Sequence, residues 1–127
     1  MELRYAIVAD DNHIFRKGLV SLLLAVFLQT RVEEAQNGAQ VLDMAALEQP
    51  DLIIMDLEMP QVSGLDATTE IKSRWPHVCI IVLVLEQHHR ARAYEAGADA
   101  CLFKGVPFED LLGAVAKLGF NVSTVPI

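Results

Sequence analysis

Apolar and polar positions along the chain alternate in two rhythms. Short strand-like runs recur five times, at Tyr5 to Ala9, Arg31 to Ala35, Leu52 to Met55, Val78 to Leu85 and Ala100 to Phe103. Longer amphipathic stretches follow each of them and predict helices over about Ile14 to Leu28, Ala39 to Leu47, Leu65 to Trp75, His88 to Glu95 and Phe108 to Leu118. Three of the strands are almost continuously apolar, which suits a sheet covered by helices on both faces and therefore parallel. The boundaries carry their own chemistry. Ser63 with Asp66 resembles a capping box, Pro107 suits a first helical turn, and helix starts are expected at 64 and 107. Pro50 and Pro76 stop helices before strands, while Asn37-Gly38, Gly97 and Gly105 mark turns. A five-fold βα alternation predicts an α/β fold with an open doubly wound sheet, whose ligands bind outside the carboxyl ends of the strands.

The first helix carries two apolar stripes. Phe15, Leu19, Leu22, Leu23 and Val26 recur at helical spacing and are expected to face the sheet. Val20, Leu24 and Phe27 lie roughly 120° further round, where water would normally be met, and are expected to pack against a second copy of the domain or a neighbouring domain. Residues 1–118 are read as one domain, and 119–127, which contain Pro126, as a tail or the start of a linker to a larger parent protein.

Composition narrows the function classes. The 127 residues are 53% hydrophobic, enough for a packed core, and contain no repeat or low-complexity stretch. Leu19 to Leu28 is about half of the roughly 20 apolar residues a bilayer span needs, and no cleavable leader pattern follows Met1, so a cytoplasmic protein without membrane insertion is expected. Ten basic against 17 acidic side chains give a net charge of -7 with no cationic cluster, which argues against direct nucleic-acid binding by this chain. Cys79 and Cys101 have no CxxC spacing and sit in apolar contexts, as buried free thiols would.

The polar residues that end strands are the informative ones: Asp10 and Asp11 after the first, Asp56 after the third, Lys104 after the fifth. A parallel sheet brings such ends to one crevice. Three carboxylates there call for a cation, and hard oxygen ligands suit magnesium, which leaves positions for water and phosphate. Lys104 adds fixed positive charge for a second anion, so the constellation reads as a place where a phosphoryl group is received.

The segments Ala9-Asp10-Asp11, Asp51-Leu-Ile-Ile-Met-Asp56-Leu-Glu-Met-Pro60, Gly64-Leu65, Ala96-Gly97-Ala98-Asp99 and Phe103-Lys104 resemble the receiver domains of two-component response regulators. The resemblance covers nearly the whole chain. It implies a flavodoxin-like (βα)5 three-layer sandwich of strand order 2-1-3-4-5, with Asp56 as the phosphoacceptor of a sensor histidine kinase. It further implies that Asp11 and Asp56 bind Mg2+, that Asp10 assists through water, that Glu58 offers its backbone carbonyl, and that Lys104 pairs with the phosphoryl group. The stretch Asp10 to Leu19 is most similar to receivers that precede a LuxR-type helix-turn-helix.

Two positions depart from that family's pattern. The Ser or Thr that ends the fourth strand in receivers is replaced by Val82 or Val84, depending on whether one counts back from Gly97 or along the strand, and Leu85 then replaces a small residue. Three residues before Lys104, where Tyr or Phe is usual, stands Cys101. The hydroxyl-and-aromatic switch is therefore expected to be missing while the acceptor chemistry remains. The rival reading is a degenerate receiver that binds partners without phosphorylation. A haloacid-dehalogenase-type phosphatase would want Asp at Glu58 and a cap domain. A flavodoxin would want a Ser/Thr-rich loop in place of Asp10-Asp11. His88 and His89 are adjacent and read as solvated loop residues, and His13 as a first-turn helix residue.

Overall fold

The computed structural model describes residues 1–122. Five strands, β1 (Tyr5–Ala9), β2 (Arg31–Ala35), β3 (Leu52–Asp56), β4 (Cys79–Val84) and β5 (Ala100–Phe103), alternate with α1 (His13–Val26), α2 (Gly38–Leu47), α3 (Gly64–Arg74), α4 (Arg90–Glu95) and α5 (Phe108–Lys117). All neighbouring strands pair in parallel, in the order β2-β1-β3-β4-β5. The expected α/β sandwich of order 2-1-3-4-5 is the observed one.

Period-two alternation along each strand splits the core into two layers. Ile7, Ile53, Met55, Ile80 and Val82 point to one face, where they meet Val41 of α2, Ile71 of α3 and Ala93 of α4. Ala6, Val8, Leu52, Ile54, Ile81 and Leu83 point to the other, against Leu19 and Leu23 of α1 and Leu111 and Val115 of α5. All five residues of β3 are buried, as a central strand of a covered sheet requires.

Asparagines rather than the expected motifs start two helices. Asn12 and Asn37 accept hydrogen bonds from the backbone N–H groups of Phe15 and Gln40, and Ser63 caps α3 from Asp66 N–H as its capping box predicts. The start at Gly64 is met, whereas Pro107 stands as the N-cap residue of α5, one position before the first helical turn. The fourth helix is shorter than its pattern suggests. Gln87–His89 form a 3-10 turn, and α4 follows with six residues and no side-chain cap.

Helix α1 turns a different face to the sheet from the one its apolar spacing predicts. Its buried face is Arg16, Leu19, Val20 and Leu23, continued by Phe27, so Val20 (8% exposed) and Phe27 (7%) are core and not an outer interface. Leu22 and Leu24 instead face outward at 47% and 45% exposure. The cause is Arg16. An arginine counted as polar rotates the inferred stripe, but this one is buried and belongs to the inner face. Of the proposed outer stripe only Leu24 remains at the surface, and a single exposed leucine needs no partner.

The boundary at 118 also moves. Gly119, at φ +101°, closes α5 in the left-handed region, with its N–H bonded to Ala116 O at 3.0 Å. This turns Phe120 into the core at 3% exposure. Asn121 N–H then donates to the Met1 carbonyl at 2.7 Å, and Asn121 Nδ2 to Glu2 Oε1 at 2.6 Å. Residues up to Val122 thus pack as part of the domain, while 123–127 of the expected tail lie outside the described residues. At the far edge of the sheet, Cys101 N–H in β5 donates to the Tyr94 hydroxyl at 3.2 Å. Among the described residues no helix is long and apolar enough to cross a membrane.

Candidate functional site

Three strand ends build the site. Asp56 is the last residue of β3, and Leu57 N–H behind it donates to Leu83 O of β4 at 3.0 Å, which fixes where the chain leaves the sheet. Asp10 directly follows β1 and is anchored by its N–H to Ala35 O at 3.1 Å. Lys104 directly follows β5, with its N–H on Val84 O at 2.7 Å. One oxygen each from Asp10, Asp11 and Asp56 lies within 4.8 Å of the others. These residues therefore converge at the carboxyl edge of the sheet, where their places in the sequence put them.

The charges are arranged unevenly. Lys104 Nζ sits 2.7 Å from Asp10 Oδ2 and 3.4 Å from Asp56 Oδ2, bridging two carboxylates that are 1% and 11% exposed. Asp10 Oδ1 accepts from Asn12 N–H at 2.8 Å. Asp10 Oδ2 is buried and, although close to the lysine, has no partner in hydrogen-bond geometry. Burial, and then the neighbouring Asp10 carboxylate, push the Asp56 carboxyl above the usual carboxylate range; Lys104 and the Glu58 backbone N–H pull the other way without cancelling it. Burial opposes the charge on Lys104, but Asp10 and Asp56 outweigh it and hold the ammonium above its ordinary value. An all-oxygen donor set of three acidic residues fits a small hard divalent cation.

The supporting residues were not evident from the sequence. Arg16 Nη1 donates to the Asp10 carbonyl at 2.6 Å, Nε pairs with Glu34 at 2.8 Å, and Nη2 lies 3.0 Å from His13 Nδ1. One buried guanidinium thereby holds the backbone of the acidic loop from behind. Phe15 lies under Lys104, with Nζ 4.6 Å from the ring centroid, a cation–π contact that steadies the ammonium. A buried arginine between apolar helix positions, following two aspartates, is the signal that could have revealed this support.

Leu85, Glu86 and His89 join Asp11, Asp56, Glu58 and Lys104 around an open pocket of about 430 Å³. Val84 rather than Val82 ends β4; it pairs with Phe103 and is 1% exposed. Leu85 is 72% exposed on the pocket rim. Cys101 is buried in the core, and burial pushes its thiol above the usual range; Cys79 is likewise a free thiol with the same shift.

Comparison with known proteins is consistent across sequence and structure. Residues 6–116 match the profile of the response regulator receiver domain. The transcriptional regulatory protein PdtaR of Mycobacterium tuberculosis is 34% identical over 113 residues, which is 88% of this chain and 55% of PdtaR. The response regulator TrrA of Thermotoga maritima, solved in complex with Mg(2+)-BeF, superposes with a TM-score of 0.82 at 31% identity, covering 91% of this chain and 99% of that one. A LuxR-family two-component response regulator from Aurantimonas gives a TM-score of 0.83 at 26% identity, covering 92% and 86%. The chain spans about half the length of the curated relatives it matches.

Proposed function

The chain belongs to the response regulator receiver domain family, and on that premise we propose that Asp56 accepts a phosphoryl group from a sensor histidine kinase in the cytoplasm and so switches an output. The observation that carries this reading is the position of Lys104, whose ammonium bridges Asp10 and Asp56 beside a cluster of three carboxylates. A carboxylate oxygen of Asp56 attacks the phosphorus of a phosphohistidine. The new O–P bond forms as the P–N bond breaks, and the electron pair stays on the departing ring nitrogen of an imidazole that leaves neutral because its other nitrogen carries the proton. Burial raises the basicity of the Asp56 carboxylate above that of an exposed aspartate, which favours it as the attacking group. Lys104 then moves its charge from the carboxylates to a phosphoryl oxygen, and Arg16 and Asn12 keep the Asp10-Asp11 loop from shifting as the charge arrives. Magnesium, when bound, would be held by Asp11, Asp56 and the Glu58 carbonyl, with Asp10 acting through water, and would supply positive charge against the phosphoryl oxygens. The activity is self-directed, and slow hydrolysis of the acyl phosphate resets the domain.

A second reading, a module that binds partners without phosphorylation, draws on Val84 and Cys101, because an apolar side chain cannot hydrogen-bond an arriving phosphoryl group. A small phosphoryl donor with magnesium separates the two. The first reading expects one acid-labile phosphoryl group by intact mass, absent from Asp56→Asn. Labelling that persists in the Asn variant, or no labelling of the folded wild type, overturns it.

A further inference from the structure

A second set of metal-ligand side chains stands on the pocket rim, in chemistry unlike that of the pocket floor. The 3-10 turn over Gln87–His89, closed by His89 N–H on Glu86 O at 3.2 Å, sets both histidines directly after Glu86. One ligand atom each from Glu86, His88 and His89 lies within 4.8 Å of the others. Glu86 Oε2 is 3.2 Å from His88 Nδ1, and the two rings meet edge to face with centroids 4.2 Å apart.

In a tetrahedral zinc site with bonds of about 2.0–2.2 Å to nitrogen and oxygen, neighbouring donor atoms lie roughly 3.3–3.5 Å apart. The Glu86–His88 pair, at 3.2 Å, stands just inside that spacing and needs only a slight opening. His89 can reach it by rotating an imidazole that, among the described residues, makes no hydrogen bond through its ring. The donors are exposed or half-buried, so little desolvation opposes binding and water can complete the shell. Two imidazole nitrogens and a carboxylate favour a borderline cation of the zinc class, whereas the all-oxygen cluster of Asp10, Asp11 and Asp56 favours a hard one.

We propose that Glu86, His88 and His89 form a zinc-class cation site, separate from the acidic pocket and bordering it. Glu86 and His89 line both, so an occupied site pins the turn between β4 and α4 over the phosphoacceptor. The alternative is a solvated carboxylate–imidazole hydrogen bond with no metal affinity.

Titration with zinc chloride by calorimetry, in excess magnesium so that the acidic pocket is saturated, distinguishes them. The site expects one zinc per chain, with affinity falling at least about tenfold in each of His88→Gln and His89→Gln. It expects binding to be retained in the His13→Gln/His77→Gln and Cys79→Ser/Cys101→Ser controls, and in Asp56→Asn, where the phosphoacceptor reading plays no part. Cobalt in place of zinc should give the intense visible bands of four-coordination. Absence of stoichiometric zinc binding, or equal affinity in the doubly substituted His88→Gln/His89→Gln chain, overturns the proposal.

Discussion

Replacing Gly64 by alanine probes how the strand that ends in Asp56 is held. Gly64 opens α3 and donates its N–H to Leu57 O at 2.8 Å, pressing the helix start against the segment that leaves β3. A Cβ added there would stand 2.0 Å from the Asp56 carbonyl oxygen, 2.9 Å from its carbonyl carbon and 3.0 Å from Leu57 Cα. Carbon–oxygen contacts normally begin at about 3.3 Å, so the two backbones must part by roughly 1 Å. No rotamer can relieve this, because every atom in the clash is main chain. The cost belongs at the upper end of overpacking, about 3 kcal/mol, offset by less than about 1 kcal/mol of helix propensity. For a domain of this size the melting temperature should fall by roughly 6–12 °C. Gly113→Ala is the internal control: it lies within α5 with nothing within 4 Å of an added Cβ, and should raise the melting temperature slightly. Circular dichroism melts in chelator measure both, and phosphoryl labelling of the folded Gly64→Ala chain should drop as well, because the displaced carbonyl is that of Asp56. A Gly64→Ala melt equal to wild type would refute the reasoning.

Asp56 should make stability depend on pH in a definite direction. Its carboxyl is raised in the fold by burial and by Asp10, so it holds a proton where the unfolded chain has released it. Its favourable contribution is complete below the unfolded value and is lost as pH rises through the folded one. Asp56→Asn, without a divalent cation, should therefore melt above wild type at neutral pH and match it in acid; a lower melt at neutral pH would contradict this. On α1, Phe27→Ala should cost about 3–5 kcal/mol in urea denaturation, whereas Leu24→Glu should stay within about 0.5 kcal/mol. Comparable losses at the two sites would show the helix face to be misassigned.

The rhythm of strands and helices was legible because a sheet covered on both faces writes itself as apolar runs. Tyr5–Ala9, Arg31–Ala35 and Ala100–Phe103 are found where the pattern puts them. The acidic pocket was legible for a related reason: strand ends in a parallel sheet share an edge, so Asp10, Asp56 and Lys104 needed no further information to meet. What the sequence hid depends on contacts between elements. Arg16 reads as a surface residue until the Asp10 carbonyl and Glu34 are seen to satisfy it, and that one residue displaced the inferred face of α1 and made Val20 and Phe27 look external. Phe120 was lost to a supposed tail because the left-handed turn at Gly119 that brings it inward leaves no periodicity to read.

The two outer strands bear on how the sheet avoids growing. An open parallel sheet ends in rows of unpaired amides, a template on which another chain could stack and aggregate. Here β2 carries Arg31, Glu33 and Glu34 along one border, so an incoming strand would have to lay its own side chains beside that charge. The opposite border is more apolar but only four residues long, and the Tyr94 hydroxyl already takes up the Cys101 N–H. Neither margin offers a long flat run of free amides, so the same features that close the fold also work against edge-to-edge stacking of a second chain.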